Sequence, residues 1–254
     1  MVYNKIRLYG LILFDILEIL PDNNMNRNFL KYIAIIAMLF DHIAPKFFSG
    51  SPLIYFAMRF IGRLTAPIMC FFVAEGFYFT RSKYKYGLRL GVFALISQFA
   101  YTYFRKETLF TFDLITNWNV IYTFFIGFLV LFVYEKIFNK VIRWIVIVLL
   151  LVLSCIGDWM IIAPLWILFF YIFRDNKKKQ FVVFSILAVL EVLSCIPFII
   201  SNGELWQVGV FFAIPLLLLY NGQKGSGNPV HKWAFYIFYP LHLIALRVIV
   251  IFFQ

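Results

Sequence analysis

The sequence predicts an all-α fold, a polytopic transmembrane helical bundle of about nine spans with a cytoplasmic N-terminus. Of its 254 residues, 63% are hydrophobic and only 14% are charged, whereas a soluble domain is about half apolar and a quarter charged. A water-soluble chain of this length has too little interior to bury so much apolar surface. The apolar runs are continuous, and several approach the roughly 20 residues that a helix needs to cross the hydrocarbon core.

Nine apolar runs, separated by polar breaks, are predicted as spans. The second run is longer than one span and contains Arg59, Arg63 and Pro67, so we interpret its beginning as a short interfacial helix that leads into a span. No repeat with a period of about 20–50 residues occurs, which excludes a repeat array. The predicted spans are residues 29–48, 53–80, 87–104, 119–135, 141–157, 160–173, 180–200, 205–220 and 232–252.

The basic residues predict the orientation of these spans. The chain has 23 Lys and Arg against 12 Asp and Glu, and alternate loops share them unequally. One side receives Lys46, Arg105 and Lys106. The other receives Arg27, Lys31, Arg81, Lys83, Lys85, Arg89, Lys136, Lys140, Arg143, Arg174, Lys177, Lys178, Lys179, Lys224 and Lys232. Because cytoplasmic loops carry the excess of Lys and Arg, the segment from Met25 is predicted to start in the cytoplasm. The positive charge therefore requires no nucleic-acid partner.

Residues 1–24 are predicted to be an N-terminal leader, interfacial or dispensable, and they receive no functional role. The apolar stretch within them is interrupted by Asp15 and Glu18 and lacks the small-residue cleavage site of a signal peptide. Met25 is an equally acceptable start. The three cysteines of the chain lie within apolar runs, and they provide neither a disulfide framework nor a zinc site. We predict no metal.

Asp41 and His42 are ionisable residues inside the first predicted span, where such residues are costly and usually functional. Asp41 continues a stripe of small residues formed by Ala34, Ala37 and Ala44, and is expected to face other helices. His42 lies about 100° around the helix from Asp41. Asp41 is therefore expected to pair with Arg59 or Arg63, which leaves His42 to act as a general base. The alternative is that both residues are polar contacts between helices.

Other polar residues within or between spans allow two interpretations each. Arg59 and Arg63 share a helix face and either bind a phosphate or carboxylate or neutralise Asp41. Glu75 is expected to pair with Arg81 or Arg89. His242, with Tyr239 one turn earlier, belongs either to a site or to the core. Glu191 and Arg247 are isolated in sequence.

The loop of residues 220–231 contains three glycines and Lys224. Its backbone N–H groups and the lysine side chain are suited to a phosphate. The loop does not match the P-loop pattern. A simple turn between two spans is the alternative.

Polar residues interrupt the apolar sequence at places where a generic membrane helix has none, in residues 30–43, 59–68, 73–82, 220–225 and 235–243. Together these stretches resemble the TraX family, named for a conjugation protein associated with N-terminal acetylation of pilin. The similarity begins near Asn28 and continues to the C-terminus. More distantly, the first span is similar to the opening helix of the membrane acyltransferase group, in which an arginine precedes a histidine by eleven positions. Here Lys31 stands at the place of the arginine and His42 at that of the histidine.

The resemblance implies that residues 25–254 form a single transmembrane acyltransferase-like domain, in a multi-pass protein of the bacterial cytoplasmic (inner) membrane. It implies an acetyltransferase that uses cytoplasmic acetyl-CoA and an acceptor at or across the membrane: pilin, a glycan or a lipid. A secondary transporter and a non-catalytic membrane scaffold are the alternatives from other classes.

The resemblance also implies a role for each candidate residue. His42 would deprotonate the acceptor and Asp41 would orient the site. Lys31 and Lys224 would bind CoA. Arg59 and Arg63 would bind the CoA phosphates or the developing negative charge, although the loop charges place them nearer the outer side. The supporting residues would be His242, Tyr239 and Glu75.

Overall fold

The computed structural model describes residues 25–108, 111–202 and 205–253, and the regular elements in these ranges are helical. The predicted leader, residues 1–24, lies outside the described residues. The elements are α1 (Arg27–Phe47), α2 (Pro52–Gly62), α3 (Thr65–Phe79), α4 (Lys83–Lys106), α5 (Asp113–Thr116), α6 (Val120–Lys136), α7 (Lys140–Ser154), α8 (Ile162–Ile172), α9 (Lys177–Ser194), α10 (Ile196–Asn202), a 3₁₀ helix (Leu205–Phe212), α11 (Ala213–Leu218) and α12 (Pro229–Phe253).

The long helices begin at polar residues that the sequence places between apolar runs. The Asn26 side chain accepts a hydrogen bond from the backbone N–H of Phe29 and caps α1. Asn119 caps α6 in the same way, and its own amide donates to the carbonyl of Ala94 in α4. A capping side chain that also bonds a neighbouring helix fixes both the start of one helix and its position against the other.

The second predicted span is divided, as its charged first half indicated. It consists of α2 and α3, which meet at Arg63 and Leu64. Pro67 lies in the first turn of α3, where its missing N–H costs no helical hydrogen bond. The break turns α2 towards α1, so that Arg59 and Arg63 approach the end of the first helix.

Helices α3, α6 and α8 pack against one another at the centre of the bundle, with α1 and α4 against α3 and α6 respectively. Helix α3 is buried almost all round from Thr65 to Ala74, which is typical of a central helix. Gly127 of α6 lies directly against Ile167 of α8. Helix α12 joins this core by packing against α1 and α4, which brings the last part of the chain to the first.

The outer faces of several helices are apolar. On α7, Ile145, Val148, Leu149 and Val152 are each more than half exposed. Contiguous exposed apolar surface of this kind requires a partner or a membrane. Within the described residues, two helical segments are long and apolar enough to cross a bilayer, Pro52–Phe79 and Val230–Phe252. The chain is thus a helical membrane protein, and its nine spans and orientation stay predictions.

Two predicted spans are not continuous helices. The run 180–200 is divided between α9 and α10, and the run 205–220 begins as a 3₁₀ helix before α11. Hydropathy predicted both runs because their residues are apolar, and apolarity does not report where a helix breaks. In the second run, Gly209 lies in the 3₁₀ segment and disfavours an α-helix, and Pro215 fits only the first turn of an α-helix, where it lies in α11.

We expect Gly209→Ala to lower the free energy of unfolding by about 1–3 kcal/mol, because overpacked sites cost roughly that amount. A Cβ at Gly209 would collide with the backbone carbonyl of Phe60 in α2, which has no flexible side chain to move aside. Thermal unfolding in detergent measures the change. The control is Gly50→Ala, where a Cβ meets nothing within 4 Å. Equal melting temperatures for the two variants would contradict this packing.

Candidate functional site

An ion cluster joins α1 to α2. The carboxylate of Asp41 accepts hydrogen bonds from both nearby arginines, at 2.8 Å from Arg59 Nη1 and at 2.6 and 2.8 Å from Arg63 Nη2. Gly62 makes the approach possible, because a Cβ there would overlap the Asp41 side chain. The predicted pairing of Asp41 with the arginines is confirmed.

His42 is paired with His242 of α12. His242 Nε2 lies 3.3 Å from His42 Nδ1. His42 Nδ1 also lies 2.9 Å from the carbonyl oxygen of Met38, and His242 Nδ1 lies 2.9 Å from that of Phe238. A carbonyl oxygen only accepts, so each neutral ring carries its proton on Nδ1. His242 Nε2 is therefore the acceptor for His42 Nδ1–H.

This tautomer leaves Nε2 of His42 as the unprotonated ring nitrogen. It makes no hydrogen bond within the described part of the chain. The ring of His42 is flanked edge-on by Phe104 and Tyr239, with centroids 5.6 and 6.4 Å away. His42 is thus held from behind by α12 and by its own helix, with a proton acceptor left on its other edge.

A polar cavity of about 530 Å³ opens in front of His42, and we call it the histidine cavity. Helices α1, α2, α4 and α9, the 3₁₀ helix, the loop between α7 and α8 and the junction between α2 and α3 contribute to it. Its lining contains the whole ion cluster, three further charged side chains from other elements, and aromatic rings. The lining residues are Asp41, His42, Pro45, Lys46, Tyr55, Arg59, Arg63, Tyr101, Phe104, Arg105, Asp158, Trp159, Glu191 and Gln207.

The loop between α7 and α8 forms one wall of the histidine cavity. Trp159 has a φ of 61°, in the left-handed region, and its ring lies 5.2 Å from the guanidinium of Arg63. The loop is fixed by Thr123, whose hydroxyl donates to the carbonyl of Asp158 at 2.6 Å. Strained backbone held in this way is often found at functional sites.

The carboxylate of Asp158 accepts one hydrogen bond from a side chain. The hydroxyl of Tyr101 donates to its carboxylate at 2.8 Å, and Arg105 donates to that hydroxyl at the same distance. Burial raises the pKa of Asp158 above its usual range, and the Tyr101 hydrogen bond and the charge of Arg105 oppose that rise. Of the three carboxylates that line the cavity, Asp41 is thus fully paired and Asp158 only partly compensated, and Glu191 is the third.

A second cavity, of about 430 Å³, lies at the other end of α1, and we call it the basic cavity. It is formed by the first turns of α1 and α12, the end of α3, α4 and the loop of residues 221–228. Lys31 and Lys224, both predicted to bind CoA, line it. Its lining residues are Arg27, Asn28, Lys31, Phe72, Gly76, Phe79, Thr80, Tyr86, Arg89, Lys224, Ser226, Gly227, Asn228, His231, Lys232, Trp233 and Tyr236.

The predicted site residues thus fall into separate places. His42, Asp41, Arg59 and Arg63 share the histidine cavity, whereas Lys31 and Lys224 line the basic cavity. His242 and Tyr239 are buried behind His42 and line neither cavity.

The structure differs from the sequence interpretation at Glu75, which is expected to pair with an arginine, and at Arg247, which is interpreted as isolated. None of the ion pairs in the described ranges joins Glu75 to Arg81 or Arg89; its carboxylate interacts instead with the charges of Arg174 and Arg27. Arg247, isolated in sequence, pairs with Glu107 at 2.8 Å. Glu107 belongs to a loop that hydropathy does not connect with the last helix.

Several residues of the histidine cavity were not singled out by the sequence. Asp158 stands at a span boundary, where a charged residue is common and gives no signal. Tyr101 and Gln207 are single polar groups in apolar runs, and this position was the available signal for both. Among the described residues, no group of three His, Cys, Asp or Glu side chains has the arrangement of a metal site.

Comparison with known proteins gives one family and one curated relative. The family model described as TraX protein matches residues 26–250. The chain is 30% identical over 230 residues to the "Probable fimbrial assembly protein FimC, serogroup H1" of Dichelobacter nodosus, which covers 85% of this chain and 92% of that protein. No solved structure matches the chain.

We expect Asp41→Asn to destabilise the protein by about 3 kcal/mol, because it leaves two guanidinium groups without their countercharge in a largely buried setting. The three side chains are at most 21% exposed. The control is Asp113→Asn, which breaks a pair with Lys106 whose side chain is 48% exposed, and it should cost no more than about 1 kcal/mol. Thermal unfolding measures both, and a similar loss in the two variants would show that the Asp41 cluster does not hold α1 against α2.

Proposed function

The chain belongs to the TraX family, and from that premise we propose that it is an acetyltransferase of the bacterial cytoplasmic membrane. The proposed reaction moves an acetyl group from acetyl-CoA to an amine or hydroxyl acceptor, such as a pilin N-terminus. The relative in Dichelobacter nodosus carries a name that refers to fimbrial assembly, which supports an acceptor connected with pili.

The observation that carries this proposal is the state of His42. Its Nδ1–H is bound to Met38 and His242, and its Nε2 is an unprotonated base at a polar cavity. A neutral imidazole in this state is suited to general-base catalysis near neutral pH. A histidine with a purely structural role would need only one of these contacts. Here the hydrogen bond from Nδ1–H to the second histidine fixes the ring, and Nε2 is left as the proton acceptor.

In the proposed step, Nε2 of His42 takes the proton of the acceptor amine or hydroxyl, whose nitrogen or oxygen attacks the thioester carbonyl carbon. The bond to that carbon forms, the carbon–sulfur bond breaks, and the CoA thiolate leaves and receives the proton. His242 Nε2 accepts the hydrogen bond from His42 Nδ1–H, and this contact favours the imidazolium that forms during the attack.

Arg59 and Arg63 have two predicted roles, and their position favours one of them. Both line the histidine cavity beside His42, away from Lys31 and Lys224. This location supports stabilisation of the developing negative charge on the thioester oxygen rather than binding of CoA phosphates. Asp41 then serves to hold the two guanidinium groups in place.

The two cavities also fit the proposed topology of nine spans with a cytoplasmic N-terminus. Lys31 and His42 are eleven residues apart on α1, which is about 16 Å along a helix axis. With α1 starting in the cytoplasm, the basic cavity opens towards the cytoplasm and the histidine cavity towards the outer side. Acetyl-CoA then arrives from the cytoplasm, and an acceptor in or across the membrane meets the histidine cavity.

The proposed orientation predicts which introduced cysteines are accessible from outside the cell. In a background with Cys70, Cys155 and Cys195 replaced by serine, Ser51→Cys should react with a membrane-impermeant maleimide on intact cells. Ser226→Cys should react only after permeabilisation. Both serines are exposed, so burial does not limit either reaction. The reverse pattern would overturn the orientation.

The proposed base predicts the effect of removing it. Purified wild-type protein should release CoA from acetyl-CoA in the presence of an amine acceptor, and His42→Ala should slow that release by roughly 100- to 10,000-fold, the range for a lost general base. Phe138→Ala is the control, since it removes an exposed aromatic ring that lines neither cavity. His242→Ala should fall between the two.

Thermal unfolding of each variant separates catalysis from folding. Loss of turnover in a folded His42→Ala protein supports the acetyltransferase. A wild-type protein that neither turns over nor is stabilised by acetyl-CoA would favour a transporter or a scaffold. Turnover with a glycan or lipid acceptor, and none with a pilin peptide, would keep the enzyme and change its acceptor.

A further inference from the structure

The basic cavity carries a concentration of positive charge that acetyl transfer at His42 does not explain. Five cationic side chains line it, and no acidic residue does. None of the ion pairs in the described ranges includes any of the five. Like charges around one space repel one another and attract an anion, and Glu75 interacts with the charge of Arg27 from outside the lining. The five are Arg27, Lys31, Arg89, Lys224 and Lys232.

Hydrogen-bond donors accompany these charges. Arg89 Nε is buried and has no partner, although buried donors are nearly always satisfied. In the loop of residues 221–228, the backbone N–H groups of Lys224 and Gly227 also make no hydrogen bond to described residues. The donors that line the cavity and are available to an anion therefore include Arg89 Nε and the amides of this loop.

The loop is held in place over the cavity. The backbone N–H of Arg27 donates to the carbonyl of Gln223 at 2.9 Å, and the Asn28 amide donates to that of Ser226 at 2.9 Å. Gly222 and Gly225 have φ of 75° and 76°, values that glycine adopts without steric cost. The start of α1 thus positions Lys224 on the rim, together with Lys232 of α12.

Aromatic rings line the same cavity. Trp233 and Tyr236 lie with centroids 6.2 Å apart, and Phe79 lines the wall formed by the end of α3. Flat aromatic surfaces beside cations are the pattern by which proteins bind a base and its phosphates. The cavity volume, about 430 Å³, lies within the range of small-molecule sites.

A small space of about 30 Å³ adjoins the basic cavity on its inner side. The two share Lys31, Phe72, Tyr86 and Tyr236. The remaining walls of the small space are apolar, and they include Phe124 and Phe235. A charged, bulky group therefore stays in the basic cavity.

We propose that the basic cavity binds the phosphates of a phosphorylated nucleotide, with Arg89, Lys224 and Lys232 on the phosphates and the base against Trp233 or Tyr236. Only the identification of this nucleotide with the adenosine 3′-phosphate 5′-diphosphate part of CoA rests on the proposed function. The headgroup of an anionic phospholipid offers the same phosphate chemistry, so the experiment compares the two sources.

The probe is adenosine 3′,5′-bisphosphate, which carries the base and phosphates but has no thiol or acetyl group. Isothermal titration into protein in phosphatidylcholine nanodiscs should show saturable binding that weakens as salt is raised. The double variant Lys224→Gln/Lys232→Gln should weaken binding by on the order of tenfold or more, because two charge-assisted contacts are lost. Both lysines are exposed, so folding should persist.

The control variant is Lys85→Gln/Lys140→Gln, which removes the same charge from exposed positions outside the cavity and should leave binding unchanged. His42→Ala should also leave it unchanged, which separates this site from catalysis. Equal weakening in the two double variants would overturn the proposal, as would the absence of binding by both the bisphosphate and phosphatidylglycerol. A third result is that wild type retains phosphatidylglycerol, the variant Lys224→Gln/Lys232→Gln does not, and neither binds the nucleotide. The basic cavity would then bind a phospholipid headgroup, and the nucleotide proposal would be wrong.

The result is independent of acetyl transfer. Nucleotide binding with these variant effects supports the cavity even where no acceptor is acetylated. The opposite result is also informative. If acetyl transfer depends on His42 but bisphosphate binding is the same with and without Lys224 and Lys232, the acetyltransferase proposal stands and the nucleotide does not bind in this cavity.

Discussion

The carboxylate of Asp41 is the constraint around which the histidine cavity is arranged. A charge at this depth in an apolar bundle is costly unless it is paired and hydrogen-bonded, and Arg59 and Arg63 supply both. Arg63 in turn lies against Trp159, and its Nη1 donates to the side-chain oxygen Oε1 of Gln207 at 3.5 Å. One carboxylate therefore fixes α1, α2, the 3₁₀ helix and the loop before α8 in a single arrangement.

The same constraint determines where His42 points. Because neighbouring residues of a helix differ by about 100° in direction, a side chain at position 42 cannot share the arginine face that Asp41 occupies. It turns towards α12, where His242 and the carbonyl of Met38 define its tautomer. The ion cluster and the histidine pair thus lie on two faces of the same turn of α1, and the histidine cavity lies where these two faces meet.

The sequence was sufficient for the features that depend on neighbours along the chain. Polar caps such as Asn26 and Asn119 locate helix starts, and the four-residue spacing of Arg59 and Arg63 puts both on one face, so the pairing with Asp41 was predictable. The contact of His42 with His242 joins residues 200 positions apart, and it depends on α12 packing against α1. Hydropathy contains no such information.

The two cavities separate requirements that one site would not satisfy. Phosphates need several cations and access to water, as the rim with Lys224 and Lys232 provides. A histidine that acts as a base is neutral at first and becomes positively charged when it takes a proton. Cations beside it oppose that positive charge unless an acid compensates them. At His42 the compensating acid is Asp41, which pairs with Arg59 and Arg63. Helix α1 connects the two environments, with the unbalanced cations at its beginning and the balanced ones at its end. In the proposed enzyme, this separation lets the donor be held by its charged part while only its uncharged thioester approaches the base.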